Sequence, residues 1–195
     1  LKTENFALQT ENYKAQLDQL RKQINPHFLF NSLSTLQTLI RKDASKSEDF
    51  VHNLSDIYRQ LLHSRESNVS TLKEELDFLN TYLDLLKTRH DSALQVDIKV
   101  DESGKKLQVP SFALQLLVEN CTKHNMISRD SPLHIQIIQE GKKVSVSNNL
   151  QLKKSVDSTG VGLENLRKRY ALMNISEGVS VSSTDTEFKV EVKLF

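Results

Sequence analysis

Three short stretches of this chain carry residue types that handle phosphate. In Asn25-Pro26-His27-Phe28-Leu29-Phe30-Asn31, a neutral imidazole at His27 is a phosphoryl nucleophile wherever it can reach an in-line γ-phosphate. Asn31, four residues on, shares its helical face and is placed to orient the ring or to hold phosphate oxygens. The plainer alternative is an exposed histidine beside a proline kink, with Phe28 and Phe30 as packing residues. In Ser158-Thr159-Gly160-Val161-Gly162-Leu163-Glu164-Asn165-Leu166-Arg167, two glycines one residue apart open a helix. Backbone amides there can approach phosphate at the positive helix end. A tight loop before a helix would look the same. The third stretch, Leu117-Val118-Glu119-Asn120-Cys121-Thr122-Lys123-His124, taken alone, is an amphipathic helix with a solvated Lys-His face.

The elements that must position these residues divide at the glycines. Residues 1–103 contain none, all five lie between Gly104 and Gly178, and Pro26 is the only proline of the first half. The first half therefore reads as helical and the second as mixed. Phe6, Tyr13, Leu17, Leu20 and Ile24 form a coiled-coil seam. It slips at Pro26, which lacks a backbone donor and kinks a helix, and resumes at Leu29, Leu33, Leu36 and Ile40. On that register His27 lies away from the seam, facing solvent. A second helix is expected after Ser45, boxed by Glu48, to about residue 64, and a third from Thr71, boxed by Glu74, to about His90. Alternating Leu94, Val96, Ile98 and Val100 predict a strand. Pro110 is read as opening a helix at 111–125. Strands follow at 133–138 and 143–147, then a polar stretch at 148–160, a helix at 162–173 and a closing hairpin of strands at 179–183 and 187–194.

The 195 residues suit one large or two small domains. With 26 basic and 25 acidic residues, the charge gives no electrostatic case for nucleic acid or an anionic membrane surface. The single cysteine, Cys121, excludes an internal disulfide framework and suits a reducing compartment. No run of about 18 apolar residues is present. The opening at Leu1, without Met and in mid-helix pattern, reads as a piece of a longer chain.

The heptapeptide around His27, preceded by Leu-Arg-Lys-Gln-Ile, resembles the phosphoacceptor motif of LytS-type sensor histidine kinases. The stretch at 117–124 resembles the N box of their ATP-binding domain, which belongs to the ATPase superfamily of gyrase and MutL. The glycine pair resembles the close of the ATP lid. The three occur in the family's order, and the resemblance runs from about residue 15 to the end. It implies an α+β fold. A helical dimerisation and phosphotransfer region (1–90) would precede an α/β sandwich ATP-binding domain of Bergerat type (91–195), with helices on one face of a mixed sheet. It implies that His27, with Asn31, is the autophosphorylated site. Glu119, Asn120, Lys123, His124, Asn148, Gly160, Gly162, Leu163 and Asn165 would line the ATP site, with Asn120 on Mg²⁺, a hard cation suited by an amide oxygen. Lys123 and His124, one turn beyond Asn120, would meet phosphate charge; Arg167, Lys168 and Arg169 read as a solvated basic face. The implied partners are a second copy of the chain, the receiver domain of a response regulator and an upstream sensor region. The implied location is the cytoplasmic part of a membrane-anchored bacterial protein.

Two departures stand against the family pattern. Where these kinases carry Asp-x-Gly-x-Gly, whose aspartate reads the adenine amino group, this chain has Asn148-Asn149-Leu150. An amide oxygen can accept that hydrogen bond without charge assistance. Superfamily ATPases often place a glutamate base four residues before the N-box asparagine; here that residue is Leu116. Two rival readings follow: a degenerate dimeric scaffold with weak or no ATP binding, and an ATPase switch whose histidine is incidental.

Overall fold

The structure is a computed structural model that describes residues 26–63, 68–153 and 161–195, with backbone only at Pro26, His27 and His63. The seam expected at 6–24, and Gly160, lie outside these residues. The chain divides into two compact units at His63/Ser64, so the helix following Thr71 groups with the sheet rather than with the helical region expected to end at residue 90.

The first unit holds helices α1 (Pro26–Lys42) and α2 (Ala44–His63). They fold back on each other at Asp43: Phe28, fifteen residues before it, meets the ring of Tyr58, fifteen after it, at 6.4 Å. The expected Ser45–Glu48 box does not start α2. Asp43 does, accepting from the Lys46 amide at 3.1 Å, because a single residue separates the helices and aspartate is as good an N-cap as serine. Phe50, Leu54 and Ile57 of α2 are buried, whereas the only buried side chain described in α1 is Ser32.

The second unit begins with β1 (Val69–Thr71) and α3 (Leu72–His90). Thr71 and Glu74 form the expected capping box: the Glu74 amide donates to Thr71 Oγ1 at 3.2 Å and the Thr71 amide to Glu74 Oε2 at 2.8 Å. There follow β2 (Leu94–Lys99), β3 (Gln108–Pro110), α4 (Ala113–His124), β4 (Leu133–Glu140), β5 (Lys143–Asn149), α5 (Val161–Leu172), β6 (Val179–Ser183) and β7 (Glu187–Lys193). Five strands form one sheet in the order β2-β4-β5-β7-β6. Its β2–β4 pair is parallel and the others antiparallel, so the sheet is mixed. Gly141, at φ +56°, turns the β4–β5 hairpin. β1 and β3 form a separate antiparallel ladder. Pro110 therefore ends a strand instead of opening a helix; a three-residue strand is too short for alternation to reveal it.

One sheet face is apolar. Leu133, Ile135 and Ile137 are buried while His134 and Gln136 between them are exposed. Ile135 pairs with Asn148, Ile137 with Val146, and those two pair with Phe188 and Val190. The helices pack on this face, with Leu79, Leu83, Leu114, Leu117, Leu166 and Tyr170 supplying their side of the core. Full burial of such side chains contributes about 1.5–3 kcal/mol each. The fold is α+β, as the resemblance implies. Among the described residues no helix is long and apolar enough to cross a membrane.

Candidate functional site

His27 is the second residue of α1, inside the first turn, where proline at position 26 needs no amide partner. Asn31 is half-buried and its carbonyl accepts from Thr35 Oγ1 at 3.0 Å. These two residues belong to the first unit and all the other candidates to the second.

The N-box helix α4 is anchored at its start in an unusual way. Phe112, its N-cap, has φ +61° and supplies no side-chain cap. Its amide donates to Glu75 Oε1 of α3 at 2.6 Å, and the Leu114 amide donates to Glu75 Oε2 at 3.1 Å. The Phe112 ring meets Phe78 edge-on at 5.0 Å. Two orphan helix donors are thus satisfied from a neighbouring helix.

One and two turns along α4, Leu116 and Asn120 face the first turn of α5. A Cβ built on Gly162 would lie 3.1 Å from Leu116 Cδ1, 3.7 Å from Asn120 Oδ1 and 3.9 Å from Asn120 Nδ2. The backbone at Gly162 can approach the Asn120 amide because it carries no side chain. Two motifs separated by some forty residues in sequence meet here, at the start of a helix. Leu116 packs against that glycine.

The other candidates are distributed around this contact. Glu119 is half-buried beside Tyr82 of α3; burial first, and the Glu119 charge next, push the Tyr82 phenol up. Lys123 is exposed and His124 half-buried. Burial first, then Lys123 and Lys153, hold the His124 imidazole below its usual range, which keeps it neutral at neutral pH. Lys153 closes the helix: its amide donates to the His124 carbonyl and its ammonium to the Thr122 and Lys123 carbonyls, each at 3.0 Å. Leu163 is half-buried and Asn165 exposed. Arg167 and Lys168 are exposed, and Lys168 pairs with Glu164 at 2.7 Å. Arg169 departs from the expected solvated face: it is half-buried and donates to the Ser111 carbonyl at 2.5 Å.

Asn148 ends the buried face of β5 and is 2% exposed. Its Nδ2 donates to the Asn149 carbonyl at 2.7 Å, while its Oδ1 is buried with no hydrogen-bond partner among the described residues. A lone buried acceptor costs about 1–3 kcal/mol unless a donor meets it. A ligand amino group is such a donor. Asn149 is occupied structurally, accepting from the His134 amide and donating to the Pro132 carbonyl. The Leu150 amide donates to the Thr186 carbonyl at 2.8 Å. Cys121 is buried and burial pushes its thiol up to about 12, so it is not a nucleophile at neutral pH.

Sequence reasoning missed Glu75 and the role of Arg169. Glu75 did leave a signal: it falls on the stripe of Leu72, Leu76 and Leu79, a charge on an otherwise apolar helix face.

Comparison with known proteins identifies the family. The family described as histidine kinase matches residues 15–94. Sensor protein LytS of Enterococcus faecalis is 32% identical over 182 residues, covering 85% of this chain and 31% of that protein. Sensor histidine kinase BtsS of Escherichia coli is 35% identical over 179 residues, covering 87% and 32%. Sensor protein LytS of Bacillus subtilis is 28% identical over 203 residues, covering 92% and 34%. The chain thus spans about a third of the length of these relatives. The catalytic domain of histidine kinase ThkA, a solved structure, aligns at 15% identity with a TM-score of 0.41, covering 64% of this chain and 94% of that one.

Proposed function

Because the chain belongs to the LytS-type sensor histidine kinases, we propose that it binds Mg·ATP between α4 and α5 and transfers the γ-phosphoryl group to His27. The observation that carries this reading is the Asn120–Gly162 contact. It sets a hard amide oxygen beside a helix start where glycine places no side chain between that amide and the backbone. The residues suit the nucleotide on a second count: the orphan Oδ1 of Asn148 is an acceptor for an adenine amino group. Asn120 would hold Mg²⁺, which supplies charge neutralisation on the phosphates when bound. Lys123 would add positive charge. A neutral imidazole at His27 attacks phosphorus with its ring lone pair as the bridging P–O bond breaks and ADP departs. The new phosphoimidazolium sheds the proton of its other nitrogen to solvent. No strong base is needed, so Leu116 at the glutamate's place is no obstacle. A response-regulator aspartate would then take the group. The α1 face left uncovered in one chain would pair with a second copy, and the region would be the cytoplasmic part of a longer membrane-anchored sensor.

The test is incubation with γ-labelled ATP and Mg²⁺. Label that is acid-labile and base-stable, and absent from His27→Gln, is expected. Equal labelling of His27→Gln would remove His27 as acceptor. The scaffold reading, which draws on Leu150 where a glycine is expected, calls for weak or no nucleotide binding, so calorimetry with a non-hydrolysable ATP analogue, read beside the label on His27, separates the two.

A further inference from the structure

The described residues contain one buried carboxyl that the proposed chemistry leaves unused. Glu75, 4% exposed, reaches from α3 to the first turn of α4 and accepts from two of its amides. Around it stand Ser70 of β1, whose hydroxyl donates to Ser111 Oγ at 2.7 Å, and Arg169 and Tyr170 of α5. Arg169 does not pair with the carboxylate. It donates to the Ser111 carbonyl, one residue before the Phe112 N-cap. Two clasps therefore converge on residues 111–114: a carboxylate from α3 and a guanidinium from α5. The same α5 presents Gly162 to Asn120. Phe112 at φ +61° is a costly conformation for a bulky residue, and it persists only where its surroundings hold it.

We propose that Glu75 is a positioning residue for the nucleotide site: its ionised carboxylate, with Arg169 fastened to Ser111, fixes the start of α4 and so holds Asn120 opposite Gly162. This rests on the reading of that contact as the nucleotide site. An ionised carboxylate accepts both amides at once. A protonated one presents a hydroxyl to one of them and releases it, and a glutamine does the same with its amino group. The device therefore has two states, and the population of each depends on pH. Burial raises the Glu75 carboxyl to about 7, opposed by the Phe112 and Leu114 amides and by Arg169. Tyr170, whose phenol burial pushes up, stays neutral.

The test follows the whole ¹⁵N-labelled chain by NMR across roughly pH 5 to 9. The Phe112 and Leu114 amides and the Asn120 side-chain amide should move together with a midpoint near 7. In Glu75→Gln, all three should stay near their acid positions at every pH. A role confined to stability would change the melting temperature and leave the Asn120 resonance still. An Asn120 amide that does not titrate, or that titrates alike in both proteins, overturns the proposal. A second arm measures the affinity of the non-hydrolysable ATP analogue with Mg²⁺ in both proteins, whose ratio cancels the titration of the phosphates. The ratio should be near one at acid pH and favour the wild type by roughly fivefold at alkaline pH, the difference between a charge-assisted and a neutral hydrogen bond. A wild type that binds no nucleotide would overturn the proposed function, while the resonances decide the positioning role by themselves.

Discussion

Leu33 is 47% exposed, Ile40 62%, Val51 44%, Leu62 50% and Phe30 69%, all within the two helices of the first unit. The second unit, with about three times as many described residues, shows the same number of exposed large apolar side chains. The first five also follow helical spacing: Leu33 and Ile40 are seven apart on α1, Val51 and Leu62 eleven apart on α2. In the second unit Val109, Leu114, Ile137, Val144 and Leu166 are wholly buried. One unit completes its core from its own chain, and the other leaves a stripe of apolar side chains exposed. The units differ likewise in polar chemistry. The second buries a carboxyl and a lone amide oxygen at its candidate site, whereas the first exposes its ion pairs, such as Arg59–Asp56 at 3.0 Å. A folded core can hold strained or unpaired groups in place. An open hairpin holds position only when something covers it.

The sharpest way to break that contrast is to charge the stripe. The double variant Leu33→Asp, Ile40→Asp should weaken self-association on the order of a hundredfold, from apolar area that stays wet in both copies. Nucleotide affinity should be unchanged. Sedimentation equilibrium checks the first and calorimetry the second; an unaltered dimer would show that the stripe is not the interface.

The next largest effect concerns the buried carboxyl. Glu75 has its folded-state pKa raised from 4.5 to about 7, so the folded chain binds the proton more tightly than the unfolded one. Its contribution to stability is fully present below about pH 4.5 and lost as pH rises through about 7. Against Glu75→Gln, the wild type should lose on the order of a few kcal/mol across that window and nothing further above it. Chemical denaturation at a series of pH values measures the difference, and parallel curves for the two proteins would refute it.

Gly162→Val should weaken binding of the ATP analogue about tenfold or more while the fold persists. Its Cβ would sit 3.1 Å from the flexible end of Leu116 and 3.7 Å from Asn120 Oδ1, so a branched side chain would crowd the approach to that amide. Unchanged affinity in a folded variant would show that this contact does not hold phosphate. The smallest effect is expected for Asn148→Asp. A charged acceptor in place of the orphan amide oxygen should tighten ATP by roughly fivefold, less the desolvation of the new carboxylate. It should not tighten GTP, which offers a carbonyl at the same place. Equal changes for both nucleotides would mean that residue 148 does not read the base.

Much of this was legible in the residues themselves. Periodicity located α1, α3, α4, α5 and the longer strands to within a few residues, since each is set by local spacing of apolar side chains. The Thr71–Glu74 box was legible because both partners lie within one turn. Ser45 was a misleading signal because Asp43 competes for the same turn. β1 and β3 were not legible: three residues carry too little pattern, and their pairing joins positions forty residues apart. The grouping of α3 with the sheet unit was likewise invisible, because an apolar stripe does not say which neighbour will cover it.

By itself the sequence determined the helices, the longer strands and the order of the His27, Asn120 and Gly162 motifs, all properties of short windows whose chemistry acts locally. Only the tertiary structure decided that Gly162 lies against Asn120, that Glu75 and Arg169 clasp the turn before α4, and that Asn148 keeps a buried acceptor without a partner. The reason is physical. Contacts across forty or more residues are chosen by which arrangement buries the most apolar surface at once, and the cost of a buried charge or an unmet hydrogen bond exists only after that burial has happened.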